Sequence, residues 1–411
     1  MKKVLIIAYH FPPIAGGGVF RPLKFVKYLP EYEWLPTVLT VDTRLVWASD
    51  NQLLKEIPPS VQIIRARQFE WFYLHIVSSG LAIPKIYDFI NEHFLVPDSK
   101  IGWYKKAIKM ARIRLSAEKY DRIFSTSPTV VSHMIARKLS KEFHIPWVCD
   151  FRDFWTSHKN YPFHGKKRGI KEMQLEKEFL ENASKITVVT KGMKHRFLEK
   201  NPSLEAKKIQ VLTNGFDSTI LPEEKKAGHF QIIYTGSFYG EYNPEIFITA
   251  FQQALEQNKK FAEKASLRLI GKIEPAIQNA IIKKIPNHVS FLPYQSPNEL
   301  HEHIEQSALL LLFLPENDHY SAYLPKKMFD YMACSKPILA IVPPGECRDL
   351  LEKSGDAFFP SKYSAEAISR ELITLFQKWL SDTLTTKPDW EFIQQFHYRD
   401  LTKKLVEIFE S

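Results

Sequence analysis

Three consecutive glycines, Gly16, Gly17 and Gly18, stand between an apolar stretch, VLIIAY, and the segment VFRPLKFVKYLP. Glycines between a strand and a helix leave backbone N–H groups bare, and a helix N-terminus favours anions. The chemistry on offer is the gripping of negatively charged oxygen. A dinucleotide fingerprint, Gly-x-Gly-x-x-Gly, is excluded. Gly16 and Gly18 fit it and Asp42 ends the next strand, but Arg21 occupies the third glycine position and HFPPIA makes the turn too long. No Gly-Lys-Ser/Thr follows, so this is no Walker loop either. A simple connection needs one or two glycines, not three.

A second group is DFRDFW, with Asp150, Arg152 and Asp153 just beyond an apolar strand. Alternating acid and base at a strand end makes either a structural ion-pair cluster or a site where a carboxylate accepts an alcohol proton. His10, beside the glycines, and His133, in SPTVVSHMIA, are acid–base alternatives or satisfied structural histidines.

Such residues need a scaffold that presents loop after loop on one edge. KKVLIIAY, PTVLTVD, YDRIFSTS, IPWVCDF, ASKITVVT and the short KIQVLTNGFD read as strands with helical stretches between them. That alternation is the signature of an open, doubly wound sheet. After the charged break LPEEKKAGH the rhythm restarts with FQIIYTGS, ASLRLIGK, HVSFLP, ALLLLFLP and PILAIVP, again interleaved with helices, one of them from about Lys326. The expectation is two Rossmann-like α/β domains, residues 1–214 and 215–385, and a charged amphipathic helix over 386–411.

The chain has 411 residues, enough for two cores, with 45% hydrophobic and 25% charged residues, as in ordinary globular proteins. Its three cysteines are far apart, which excludes a disulfide framework or a metal spacing and points to a reducing compartment. A formal net charge of +10 suits an anionic partner: nucleotide phosphates, nucleic acid or anionic lipid. Nucleic acid is disfavoured, because no recognition module or ring-rich basic strand is evident. The apolar runs are too short to span a bilayer and the N-terminal one is too short for a signal peptide, so a soluble or peripheral protein is expected.

The segment FEWFYLHIVSSGLAIPKIYDFINEHFLVPDSKIGW, about residues 67–100, is dense in aromatics and low in charge. It reads as a small helical lid on the core or as an interfacial, lipid-facing surface. The helix that follows carries Lys105, Lys106, Lys109, Arg112 and Arg114 on one face, which is either simply solvated or a membrane-surface feature.

Seven motifs occur in order: FPPIAGGGVFRPLKFVKYL, DRIFSTSPTVVSHMIARKL, IPWVCDFRDFW, ITVVTKGM, VLTNGFD, IIYTGSFYG and LPKKMFDYMACSKPILA. In that order, across two domains, the chain resembles the family 4 retaining glycosyltransferases of GT-B fold, in the branch involved in bacterial surface-polysaccharide assembly. The resemblance covers nearly everything but the aromatic insert. It implies two domains facing across a cleft, with the last helix returning to the first domain. It also implies transfer of a sugar from a UDP- or GDP-sugar to a lipid-linked or saccharide acceptor hydroxyl, with retention and without a metal or other cofactor. A cytoplasmic place follows, with peripheral attachment to the anionic inner face of the cell membrane.

By the same resemblance, Gly16, Gly17 and Gly18 approach the donor diphosphate and sugar, and Arg21 pairs with a phosphate or a facing carboxylate. Asp153 or Asp150 orients the acceptor hydroxyl, with Arg152 setting its environment and His10 as an alternative. Gly236 and Ser237 bind donor phosphates, Leu292, Pro293 and Tyr294 back the nucleotide base, and Lys326 and Lys327 neutralise the diphosphate. Asp330 takes the place of the second Glu of the family's Glu-x7-Glu pair, the ribose holder. The chain departs from the pattern at Ala322, where the first Glu of the pair would fall. It departs again at Ser237 and the EYN stretch, where a phosphate Arg and Lys are usual, and at Thr126 and Ser127, where an acid or histidine is usual. Lys327 reads as the replacement cation. The rival reading is a non-catalytic nucleotide-sugar-binding or scaffold subunit of the same fold.

Overall fold

The computed structural model describes residues 1–43, 49–68, 95–157, 166–217, 228–240, 242–317 and 320–411. Most of the aromatic insert expected at 67–100 lies outside the described residues. The chain forms two compact units, Met1–Thr213 with Tyr398–Ser411, and Asn214–His397.

Unit 1 runs β1 (Lys2–Ala8), α1 (Phe20–Tyr28), β2 (Trp34–Val41), β3 (Gln62–Ala66), α2 (Tyr104–Ala117), β4 (Arg122–Thr126), α3 (Val131–Phe143) and β5 (Trp147–Phe151). It continues through α4 (Lys166–Asn182), β6 (Lys185–Val188), α5 (Lys191–Lys200) and β7 (Ile209–Val211). The strands form one parallel sheet in the order β3-β2-β1-β4-β5-β6-β7. A parallel sheet is covered on both faces, so its central strands are continuous apolar runs. Val4 to Ala8 of β1 are all fully buried. The edge strand β3, not among the expected strands, has only Ala66 fully buried and so lacks that signal.

Unit 2 runs β8 (Phe230–Thr235), α6 (Glu245–Gln257), α7 (Lys259–Lys264), β9 (Ala265–Ile270), α8 (Pro275–Lys284), β10 (Val289–Leu292), α9 (Pro297–Glu305) and β11 (Leu309–Phe313). Then come α10 (Lys326–Met332), β12 (Ile338–Ile341), α11 (Glu346–Ser354), β13 (Ala357–Phe358), α12 (Ala365–Leu380) and α13 (Trp390–Gln394). Its parallel sheet has the order β10-β9-β8-β11-β12-β13. Each sheet reverses its winding once, between β1 and β4 in unit 1 and between β8 and β11 in unit 2. Loops leaving the carboxyl ends of such strand pairs diverge and open a crevice for ligands.

The helix expected over 386–411 is two helices, α13 and α14 (Tyr398–Glu410). Between them the backbone pairs with another segment: Phe216 N–H donates to the Phe396 carbonyl at 3.2 Å, and His397 bridges Phe216. Extended pairing at that point is incompatible with a continuous helix. Beyond it, α14 lies in the core of unit 1. Tyr398 meets Phe25 edge-on at 5.9 Å, and Phe409 lies 5.0 Å from Trp34 and 6.0 Å from Phe124. Among the described residues, no helix is long and apolar enough to cross a membrane.

Candidate functional site

In unit 1 the glycine loop leaves the carboxyl end of β1 at the switch point. Its course is pinned on both flanks: Arg65 Nη2 donates to the Pro12 carbonyl at 2.6 Å and Asp50 N–H to that of Pro13 at 2.7 Å. Gly16 has φ +117°, a conformation side chains resist. Gly17 has an ordinary φ, and a Cβ built on either residue meets no protein atom within 4 Å. Packing among the described residues therefore does not explain why Gly17 lacks a side chain. α1 then begins with no side-chain cap and no acid in its first turn, which keeps its positive end undiluted.

Arg21, in the first turn of that helix, points into the core. Its Nε donates to Asp150 Oδ2 at 3.0 Å and its Nη2 to Asp150 Oδ1 at 2.7 Å, with both side chains essentially unexposed. Thr126 Oγ1 and Thr187 Oγ1 donate to the same carboxylate at 2.7 and 2.6 Å. Burial alone raises the Asp150 pKa, but the Arg21 charge and these hydrogen bonds outweigh it and the net shift is downward. The expectation that Asp150 orients an acceptor is thus corrected: its oxygens are all occupied inside the core. The carboxylate branch of the Arg21 expectation holds, and the phosphate branch does not. The same guanidinium donates to the backbone carbonyls of Leu212, at 2.9 Å, and Thr213.

Arg152 is also inward-facing. It donates to the Ser127 carbonyl and, through Nη1 at 2.8 Å, to the carbonyl of Gly18, so it braces the glycine loop against the end of β4. Asp153, next along the chain, is exposed. Of the two acids in DFRDFW, it alone presents a carboxylate to solvent. His10 is half-buried, edge-on to Tyr9 at 5.1 Å. Burial, helped by the charges of Arg152 and Lys100, lowers its pKa to about 4, so the imidazole is neutral at pH 7. His133 is fully buried, with Nδ1 2.8 Å from Ser125 Oγ and its ring 4.8 Å from that of Phe151, which is the structural alternative.

In unit 2 the corresponding position is Gly236, just past β8. It has φ +134°, and its N–H donates to the Ile270 carbonyl at 2.8 Å. A Cβ there would lie 2.7 Å from Lys327 Nζ. Lys327 comes from α10, which follows β11, so the two loops of the switch point bring glycine and lysine together. The ammonium has no ion pair among the described residues and lies 3.8 Å from the centroid of the Tyr234 ring. Burial lowers its pKa to about 7. Ser237 adjoins, its carbonyl accepting from Tyr234 Oη at 3.2 Å. Leu292 ends the outer strand β10, and Pro293 and Tyr294 follow it, both exposed.

Lys326 and Asp330 are held by each other: Lys326 Nζ lies 2.6 and 2.7 Å from the two carboxylate oxygens. The Lys326 charge is thereby compensated locally, which separates it from Lys327. The Tyr234 ring beneath Lys327 and the two threonines around Asp150 are the members that sequence reading missed. A concavity of about 370 Å³ lined by Leu180, Lys185, Asn201 and Lys208 lies at the amino edge of β6 and β7, away from these loops. Among the described residues, no group of three His, Cys, Asp or Glu side chains could hold a metal ion.

Comparison with known proteins accounts for both units. Residues 65–219 match Glycosyltransferase Family 4, and residues 217–386 match Glycosyl transferases group 1. No curated protein matches the chain by sequence at a significant level. Among solved structures it is similar to sucrose-phosphate synthase from Thermosynechococcus elongatus, at 13% identity and a TM-score of 0.68, covering 100% of this chain and 98% of that one. It is also similar to HepE from Anabaena in complex with UDP and glucose, at 14% identity and a TM-score of 0.64, covering both chains fully. A third is the lipopolysaccharide outer core galactosyltransferase WaaB, at 15% identity and a TM-score of 0.58, covering 99% of each. The chain is thus similar to Glycosyltransferase Family 4 over residues 65–219 and to Glycosyl transferases group 1 over residues 217–386, and its two α/β units have the GT-B fold.

Proposed function

We propose that the protein transfers a sugar from a nucleoside diphosphate sugar to an acceptor hydroxyl, with retention at the anomeric carbon. The observation that carries this reading is Lys327, an ammonium without an acid partner among the described residues, beside a side-chain-free turn at the switch point of the second sheet. A leaving diphosphate gathers negative charge as its bond to the sugar breaks, and a fixed cation in a site partly shielded from water stabilises that charge strongly. Gly236 lets the phosphate approach the backbone, and Ser237 offers a hydroxyl. Leu292, Pro293 and Tyr294 are the surface proposed for the base, and Asp330, with Lys326 as its counter-ion, is the proposed ribose acceptor. In unit 1, taken by itself, Gly16, Gly17 and the N-terminus of α1 offer bare N–H groups to an anion.

Retention needs no protein nucleophile if the leaving phosphate accepts the proton of the incoming hydroxyl on the face it departs from. This suits a site whose buried acid, Asp150, is already consumed. Asp153 is the exposed carboxylate proposed to orient the acceptor, with the neutral His10 as the alternative. UDP is the first nucleotide to test, since HepE has been seen with UDP and glucose. A role in surface-polysaccharide or lipid-linked glycan synthesis is proposed with it. Peripheral attachment to anionic membrane is proposed on the exposed Lys105, Lys106 and Lys109 of α2, which adjoin the exposed Met110 and Ile113. The second reading, a non-catalytic binding or scaffold subunit, draws on Ala322 at the first position of the Glu-x7-Glu pair.

The test is a screen of UDP-, GDP- and dTDP-sugars for transfer or hydrolysis, run beside nucleotide thermal shifts. Transfer with the same anomeric configuration supports the enzyme. Stabilisation by a nucleotide with no turnover of any sugar supports the second reading.

A further inference from the structure

An ammonium shielded from water is ordinarily held by a carboxylate, yet a carboxylate at this place would repel a diphosphate. The structure resolves the conflict with an aromatic face. Tyr234 is fully buried, its hydroxyl is tied to the Ser237 carbonyl at 3.2 Å, and Phe238 stacks on its ring at 4.1 Å with an interplanar angle of 13°. Lys327 Nζ lies 3.8 Å from the ring centroid, well inside the range in which the negative face of a ring attracts a cation. Tyr242 adds a second ring at 5.8 Å, itself fixed by a 2.6 Å hydrogen bond to the Phe313 carbonyl.

We propose that Tyr234 is the positioning residue for Lys327, its ring holding the ammonium at the Gly236 turn while leaving the positive charge uncompensated for an incoming anion. The proposal rests on the reading of Lys327 as the group that meets the diphosphate. A ring quadrupole fixes a cation without cancelling its charge, whereas an acid does both. It also opposes the loss of the proton that burial favours. The neighbouring titratable groups do not share this range. The phenols of Tyr234, Tyr242 and Tyr331 and the thiol of Cys347 are all pushed up by burial. Beside these phenols and this thiol, Lys327 alone titrates near neutrality.

The test replaces Tyr234 with phenylalanine and then with mono-, di- and trifluorinated phenylalanines, which drain the ring face of negative potential while barely changing its volume. Binding of UDP and of inorganic pyrophosphate is measured by calorimetry across neutral and mildly alkaline pH, in chains with Lys327 and with Lys327→Ala. Tyr234→Phe is expected to bind as the unaltered protein does. Each added fluorine should move the alkaline fall in affinity to lower pH, with a loss of roughly tenfold across the series. In the Lys327→Ala chain the series should be flat. Two results overturn the proposal: an unmoved pH profile across the series, or equal losses with and without Lys327. If Lys327→Ala itself binds both ligands as tightly as the unaltered chain, the diphosphate reading fails instead. A flat series with a weakened Lys327→Ala chain sinks the ring's role alone.

Discussion

Arg21 and Asp150 form a two-point ion pair across 129 positions of sequence, sealed from solvent between the first helix and the fifth strand of unit 1. Removing one partner strands the other as an uncompensated buried charge. Asp150→Ala should therefore cost about 3–5 kcal/mol in the unfolding of unit 1, read by urea denaturation. The pH dependence has a definite sign. The folded pKa of Asp150 is lowered, so its contribution is present above the unfolded carboxylate pKa, about 3.9, and fades as pH falls below it. The Asp150→Ala variant should lose that acid dependence. An unchanged urea midpoint would refute the structural role.

Lys327 gives the second prediction. In the free protein burial lowers its pKa to about 7, so the ammonium is about half deprotonated there, and a bound diphosphate would hold that proton to higher pH. Nucleotide affinity should fall as pH rises through about 7 to 9, with proton uptake on binding. Calorimetry in two buffers of different ionisation enthalpy checks this directly. Lys327→Ala should weaken UDP binding by roughly 10- to 100-fold, the worth of a charge-assisted hydrogen bond, and should remove the proton uptake.

The glycine loop separates backbone need from ligand need. Gly16→Ala strains a left-handed position and should lower stability by about 1–2 kcal/mol. Gly17→Ala meets neither strain nor protein atoms, so thermal unfolding should stay within about 0.5 kcal/mol of the unaltered protein. Its kcat/KM should nonetheless drop if donor oxygens press on that backbone. Full activity in Gly17→Ala would show that nothing approaches the loop there.

His10 gives a fourth. Its pKa of about 4 means it carries no charge at neutral pH, so it contributes no inflection to the pH–rate profile between about 5 and 8. An inflection near 6.5 that vanishes in His10→Gln would contradict its environment as described.

How much of this was legible in the sequence depended on whether a relationship was local. The Lys326–Asp330 pair follows from i,i+4 spacing on a helix, though the sequence did not say that the two would satisfy each other. The glycine run is a local signal and led to the switch point. Asp150, by contrast, lies in register with Thr126 on one side and Thr187 on the other, so its fate was set by strands 24 and 37 positions away. DFRDFW alone left open an ion-pair cluster or an acid that orients an acceptor, and Asp150 takes the first course because the side chains of its neighbours point the same way in a parallel sheet. The Tyr234 ring reached Lys327 because β8 and β11 are neighbours despite two intervening strands, a fact of strand order that no local pattern carries. The strands β3 and β13 escaped notice because edge pairing asks little of their side chains.

Because α14 belongs to the unit that the chain left at Thr213, that unit is discontinuous in sequence. A recombinant piece ending at Thr213 would lack Tyr398, Leu405 and Phe409, all buried in its core, and would expose the rings they cover. Anyone dissecting the protein should therefore graft residues 398–411 onto residues 1–213 through a short linker, whereas residues 214–397 can be excised as a single uninterrupted stretch.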